Sequence, residues 1–443
     1  MAHRHAHVLG IGERGVTALA QWLVERGYPV TSSASGPDAP AQRLRSVGIR
    51  VHPGHLHPSA RWMVYARGID RLHPGRLAAA RGGLPQASSA DVLNHLIGQG
   101  WSVALWGGRT SSVAAAMVGW ILVRAGLDPT VLLGSSAPQL GGWGRLGRGG
   151  WCVVEADPIS ERFAPDAVRI AVILDLDQRS GAAQAAALRS FFASLPQHAL
   201  VLGSGHDGTI ARALRGIAAQ AELVSLCKGC AWWGTDLREE RGRYRFRAFY
   251  RGRFVVEARL QVPGRRSVFS ALAAVAVCQR MDVPARAIKE GLEEFAGIAR
   301  GLESRGSWRG VTLVDDEASD PRLVAEAVQV CRQAFGRRRL GIVVQPPPLA
   351  SWVPYAPSLA AADWVLVAGA EPEAAGPGPG RWVEPLAAAG VAARWAAGLE
   401  CALADLERHL EPGDVLLTLG SGQLGTIADA LSTRRAGRDP LPW

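Results

Sequence analysis

Two short glycine stretches, each set between an apolar run and an amphipathic one, constrain this chain most. The first is Gly10-Ile-Gly12-Glu-Arg-Gly15. It follows His7-Val-Leu and precedes a segment with Val16, Leu19, Ala20, Trp22, Leu23 and Val24 at helical spacing. Gly27 closes that helix, and residues 28–31 read as the next strand. The second stretch, Gly107-Gly108-Arg109-Thr110-Ser111-Ser112, follows the apolar run at 101–106 and precedes a long apolar helix at 113–125. A strand that turns through glycines into a helix opens a parallel α/β unit.

The rest of the pattern agrees. Buried strands are expected at 151–154, 170–174 and 199–202, and helices at 269–278 and 285–295. Residues 244–260 alternate around Gly252 and predict an antiparallel hairpin. Beyond residue 300, strands at 311–314, 340–344, 364–367 and 415–419 form a third α/β unit, and 371–380 reads as a surface loop.

The net charge of +10 comes almost wholly from arginine, because Lys228 and Lys289 are the only lysines. These arginines are scattered, which argues for GC-rich coding rather than a nucleic-acid surface. Six cysteines in 443 residues do not make a disulfide framework. Cys227-Lys-Gly-Cys230 lacks the second pair that a zinc site needs. His3, His5 and His7 alternate at the first strand and read as a solvated face rather than a metal site. No leader and no membrane-length apolar run is visible, so the expected location is cytoplasmic.

Each glycine turn can cradle phosphate with free helix N–H groups. At the first, a nicotinamide reading also needs an acid at the end of the second strand to hold the ribose. Residues 31–36 are Thr-Ser-Ser-Ala-Ser-Gly, which weakens the dinucleotide reading and leaves open another diphosphate, such as a UDP-sugar, or a tight turn with no ligand. The second turn stands where a P-loop stands, but Ser111 occupies the place of the phosphate-binding lysine. Arg109 is two residues too early to replace it directly.

The order of motifs resembles that of the Mur ligases over nearly the full length. Residues 7–15 look like V-G-I-G-G-x-G, and Val51-His-Pro-Gly-His55 is similar to the G-H step of the family. Leu140-Gly-Gly142, Val153-Val-Glu-Ala-Asp157, Pro263-Gly-Arg265, Phe295-x-Gly297-x-x-Arg300 and Val314-Asp-Asp316 match in sequence order. Within the family the chain is most similar to the branch that places L-alanine on UDP-N-acetylmuramate. The resemblance implies a three-domain α/β architecture. A Rossmann-like UDP-sugar domain would span 1–98, a P-loop-type ATPase domain 99–298 and a Rossmann-like ligase domain 299–443. It also implies a UDP-sugar site at Gly10, Ile11, Gly12, Gly15 and His55, and a phosphate loop at Gly107, Gly108, Arg109, Thr110, Ser111 and Ser112. Ser112 and Glu155 would hold magnesium, and Glu155, Arg300 and Asp315 would carry catalysis.

The chemical positions depart from the family pattern. G-T-H-G-K-T is Gly107-Gly-Arg-Thr-Ser-Ser112, and the H-N pair falls at Arg266-Ser267. N-x-x-x-D-H starts at Asp175 without its closing pair, and D-D-Y-A-H-H-P reads Asp315-Asp-Glu-Ala-Ser-Asp-Pro321. Q-P-H-R-Y is Gln345-Pro-Pro-Pro-Leu349, and G-A-G-D is Gly420-Ser-Gly-Gln423. The expectation is a retained scaffold with impaired or lost ligase chemistry, working on a UDP-sugar or beside a genuine Mur ligase or other cell-wall synthesis protein. The alternative is an active ligase, using magnesium and ATP, in which Arg109 or Arg266 replaces the lysine.

Overall fold

The computed structural model describes residues 5–13, 15–33, 41–98, 100–155, 165–176, 181–345, 354–369, 380–420 and 425–433. The structure is mixed α/β, with three sheets among these residues. The first two sheets fall in one compact unit, Met1–Arg238 with Tyr244–Ile298. The third falls in a second unit, Ala299–Trp443 with Glu239–Arg243. No helix among the described residues is long and apolar enough to cross a membrane.

The first sheet uses β1 (Ala6–Leu9), β2 (Val30–Ser33), β3 (Arg50–His52), β4 (Trp62–Tyr65) and β5 (Gln86–Ser88) in the order β3-β2-β1-β4-β5. Every pair is parallel. Helices α1 (Val16–Glu25), α2 (Ala41–Ser46), α3 (Pro74–Arg81) and α4 (Ser89–Ile97) connect them. Strand alternation sends Ala6 and Val8 into one core with Val16, Leu19 and Leu23 of α1.

His5 and His7 lie on the opposite side, and they are not solvated. His7 is fully buried and His5 nearly so. The expectation of a solvated strand face fails because hydroxyls and neighbouring imidazoles cover this face. His7 Nδ1 and Nε2 pair with Thr31 Oγ1 at 2.9 Å and Ser33 Oγ at 3.0 Å. His5 and His52 each lie within 5 Å, ring to ring, of His57.

The second sheet runs β15-β14-β13-β12-β11-β10-β6-β9-β7-β8. Its strands are β6 (Trp101–Trp106), β7 (Thr130–Ala137), β8 (Gly142–Arg145), β9 (Trp151–Glu155), β10 (Val168–Ile173), β11 (Leu200–Ser204), β12 (Gln220–Ser225), β13 (Trp232–Glu240), β14 (Arg243–Tyr250) and β15 (Arg253–Arg259). The hairpin expected around Gly252 is β14–β15, antiparallel. Helices α5 (Gly108–Arg124), α6 (Gly181–Ser194), α7 (Gly208–Ala213), α8 (Arg265–Arg280) and α9 (Ala285–Glu294) complete the unit. Residues 113–118 of α5 and 271–278 of α8 share one core, which explains why both helices are apolar on nearly every side.

The third sheet runs β16-β17-β21-β18-β19-β20. It is formed by β16 (Glu303–Trp308), β17 (Val311–Asp316), β18 (Leu340–Val344), β19 (Trp364–Gly369), β20 (Ala393–Ala397) and β21 (Val415–Leu419). Only the β16 edge is antiparallel. Helices α10 (Pro321–Phe335), α11 (Ala356–Leu359), α12 (Gly380–Ala388), α13 (Gly398–His409) and α14 (Ile427–Thr433) accompany it.

Two helices start earlier than apolar periodicity predicts: α5 at Gly108 instead of 113, and α8 at Arg265 instead of 269. A first turn has N–H groups without intrahelical partners, so polar side chains gather there and mask the periodicity. The second strand is Val30–Ser33 rather than 28–31, because Tyr28 and Pro29 only lead into it.

Burial holds His7 neutral down to about pH 4, against 6.5 for a free imidazole. His52, His5 and His57 oppose its protonation, while the His55 backbone favours it. A depressed histidine contributes stability that is complete above pH 6.5 and is lost as pH falls towards 4. Urea unfolding of the first unit should therefore weaken by about 2 kcal/mol between pH 7.5 and pH 5. His7→Asn should flatten most of that dependence; an unchanged slope would mean that His7 is not the group responsible.

Candidate active site

The second glycine turn is shaped by a close approach of backbone. Gly107 has φ 124° and Gly108 φ 60°, both in the left-handed range. A Cβ on Gly107 would lie 2.5 Å from the Asp175 backbone nitrogen and oxygen, so only glycine fits. Helix α5 then starts with its first N–H groups at the carboxyl edge of the sheet, the usual anion-binding end.

Four side chains of its first turn point to different fates. Ser112 donates to Glu155 Oε1 at 2.5 Å. The Gly134 N–H donates to Glu155 Oε2 at 2.9 Å. A Cβ at Gly134 would come within 3.0–3.2 Å of that carboxylate, so β7 passes close through a residue without a side chain. Ser112 and Glu155 are thus two adjacent oxygen donors fixed at the end of β9, and this donor set fits magnesium.

Ser111 stands at the lysine position and is completely buried. Its Oγ has no hydrogen-bond partner, and a Cβ on Gly107 would be 3.1 Å from it. A short neutral hydroxyl inside the turn cannot deliver charge to a phosphate outside it. Ser111 therefore supplies no cation to a phosphate at this turn.

Thr110 Oγ1 accepts from Arg266 Nη1 at 3.2 Å, and the same nitrogen lies 3.2 Å from Asp175 Oδ2. Ser270 Oγ also donates to the Thr110 carbonyl at 2.8 Å. Arg266 and Asp175 are paired with each other here. Arg109 is half-buried on the same turn.

The first glycine turn is built likewise. Gly10, Gly12 and Gly15 have φ of 82°, 109° and 80°. A Cβ on Gly10 would lie 2.3 Å from the Ala66 side chain. The Ile11 side chain belongs to the core, so Ile11 offers backbone rather than side chain to a ligand. The Gly12 N–H donates to Thr17 Oγ1 at 3.3 Å. His55 is exposed, 5.5 Å edge-on from His73, which caps α3 by accepting from the Gly75 N–H. A Cβ on Gly75 would touch both the His55 carbonyl, at 2.6 Å, and Leu9, at 3.0 Å. His55 is thereby held beside the end of β1, where the turn begins.

One cleft is bordered by the first glycine turn and by Glu155. It is small and partly open to solvent, lined by Gly15, Val16, Ser89, Leu93, Val154 and Glu155 together with Leu19 and Leu132. The glycine turn of the first sheet and the carboxylate of the second therefore face one space.

In the second unit, Arg300 and Asp315 are brought together. Arg300 Nε donates to Asp315 Oδ2 at 3.1 Å, and Arg300 also donates to the Gly420 carbonyl. Thr418 donates to the other Asp315 oxygen at 2.7 Å. Asp316 accepts from Leu302 N and Ala318 N, both at 2.8 Å. These groups hold the ends of β17 and β21. Ala34–Gly36, Asp157 and residues 177–180, 346–349, 371–379 and 421–423 lie outside the described residues.

No group of three His, Cys, Asp or Glu suited to a metal occurs among the described residues, Cys227 and Cys230 included. Cys152, Cys278 and Cys331 are buried, and burial pushes the Cys152 and Cys331 thiols up to about 12. Gln21 and Gly134 carry no motif and are not flagged by sequence reasoning. Only a polar residue on the otherwise apolar face of α1 hinted at the first.

Burial raises the pKa of Asp315, and Arg300 opposes this. The charged carboxylate is the costly form, and Arg300 is what offsets it. Arg300→Ala should destabilise the unit carrying the third sheet by about 3 kcal/mol at pH 7. The loss should shrink as pH falls and Asp315 takes a proton, and Asp315→Asn should largely rescue it. Chemical denaturation of the four-member cycle reads this; additive losses would dismiss the pairing.

The comparisons with known proteins give the family of the chain. Residues 5–101 match the model described as "Mur ligase family, catalytic domain". The chain is 30% identical over 362 residues to a UDP-N-acetylmuramate–L-alanine ligase of Solibacter usitatus, covering 77% of this chain and 75% of that protein. It is 27% identical to the same kind of ligase from Geobacter sp. (strain M21), covering 97% of each. The crystal structure of UDP-N-acetylmuramate-alanine ligase from Thermotoga maritima superposes with a TM-score of 0.82 at 21% identity, over 98% of this chain and 99% of that one. The chain belongs to the Mur ligase family.

Proposed function

We propose that this chain binds UDP-N-acetylmuramate, or a related UDP-sugar, between its first and second sheets without driving ligation with ATP. Ser111 carries the reading: a buried hydroxyl without a hydrogen-bond partner stands where the family places a lysine. The glycine turn at Gly10, Gly12 and Gly15 would hold the diphosphate, with His55 beside it. A diphosphate held at Gly15 would stand beside the cleft that Glu155, the partner of Ser112, also borders. Magnesium held by Ser112 and Glu155 would neutralise an anionic substrate group. Glu155 accepts from Ser112 and Gly134 and so keeps its oxygens aimed at that point.

In this reading the domains are 1–98, 99–298 and 299–443, as the resemblance implies. Arg300 and Asp315 serve the frame of the third sheet rather than a reacting group. The protein acts in the cytoplasm, in or around peptidoglycan precursor synthesis, by holding precursor or by pairing with a genuine ligase.

A second reading has one observation in its favour. Arg266 reaches Thr110 on the phosphate loop and could supply the missing cation. An arginine fork differs in geometry from a lysine point charge, and its release from Asp175 would come first.

Phosphate release with magnesium, ATP, UDP-N-acetylmuramate and L-alanine tests both. The first reading expects no release above a Glu155→Ala control. Release above that control, lowered about 10-fold or more by Arg266→Ala, would replace it with the second.

A further inference from the structure

The side chain of Gln21 joins the helix of the first glycine turn to the second sheet. Gln21 lies near the middle of α1 and is almost completely buried. Its two Nε2 hydrogens are shared among three acceptors, the Gly144 carbonyl at 2.6 Å and the Gly141 carbonyl and Glu25 at 3.0 Å each. Its Oε1 accepts from Trp143 N at 2.9 Å and Gly144 N at 3.3 Å. One amide thus satisfies both the donors and the acceptors of the turn leading into β8. Glu25, one helical turn on, accepts from Leu146 N.

The partner segment is built to receive it. Gly141 and Gly142 have φ of 87° and 134°. A Cβ on Gly142 would lie 2.6 Å from Gln21 Oε1, so a side chain there would displace the amide. Buried polar groups fully paired in this way fix a single arrangement, because each lost partner leaves an unsatisfied group.

Gln21 sits on the helix that begins at Gly15 and Val16, and β7, next to β8, carries Leu132 and Gly134. Gly15, Val16, Leu132 and Glu155 line the same pocket, and Gly134 holds Glu155. We infer that Gln21 is a positioning residue that sets the distance between the glycine turn and Glu155. It would thereby couple a UDP-sugar bound at the turn to a divalent cation held by Ser112 and Glu155. This rests on the precursor-binding reading above.

Calorimetric titration tests the inference, using UDP-N-acetylmuramate and UDP, each with and without magnesium. In the wild-type protein, magnesium should tighten UDP-N-acetylmuramate by about fivefold or more. It should leave UDP, which lacks the carboxylate of the muramic acid, nearly unchanged. Gln21→Leu should abolish that magnesium effect while retaining UDP affinity, and Gly142→Ala, which pushes on the same amide, should do likewise. Magnesium coupling that persists in both variants overturns the inference and leaves the precursor reading standing. Coupling absent from the wild type overturns it also. Loss of UDP binding in both variants assigns Gln21 to general stability instead. Failure of the wild-type protein to bind UDP-N-acetylmuramate at all overturns both readings.

Discussion

Gly107 meets the backbone of Asp175 with no room for a Cβ, at the point where β6 gives way to α5. It sets where β6 ends, and so where α5 begins and which of its first residues face the carboxyl edge. Ser112 then reaches Glu155, Thr110 reaches Arg266, and Ser111 turns inwards. The backbone half of a phosphate site is a property of such a turn and needs no particular side chain. At the position that the resemblance sets for a lysine, the side chain here is a serine.

This separation explains how the scaffold and the chemistry of one family can diverge. The glycines at 10, 107, 134 and 142 each answer a steric demand from a neighbouring backbone or side chain. Replacing any of them would displace a neighbouring strand, loop or side chain. Lysine and histidine positions at a ligand face carry no such demand, and their loss leaves the core intact. The pairing of Arg266 with Asp175 fits this pattern, because two altered positions satisfy each other. Arg300 shows the same tendency, being held by Asp315 and the Gly420 carbonyl in the third sheet.

Much of this frame was legible in the sequence. Period and glycine placement gave β6, β9, β10, β11 and the β14–β15 hairpin within a residue or two of their observed bounds. Helix starts were read late, since polar first turns hide apolar periodicity. His5 and His7 were misread, because alternation cannot tell water from a buried layer of hydroxyls and imidazoles. The shared pocket of Gly15 and Glu155 could not be read either, since 140 positions separate them and nothing in the spacing predicts the approach. Gln21 was invisible for the same reason, its partners lying at 141–144.

In the proposed reading the phosphate loop keeps its backbone frame but does not drive phosphoryl transfer from ATP to a bound carboxylate. The most direct measurement is positional isotope exchange. ATP carrying ¹⁸O in the β–γ bridge is incubated with magnesium, UDP-N-acetylmuramate and the wild-type protein, without amino acid. Reversible acyl-phosphate formation would scramble the label into the non-bridging β oxygens. The account predicts that the label stays in the bridge. Scrambling that depends on UDP-N-acetylmuramate would contradict it, and would mean that the carboxylate is activated despite Ser111.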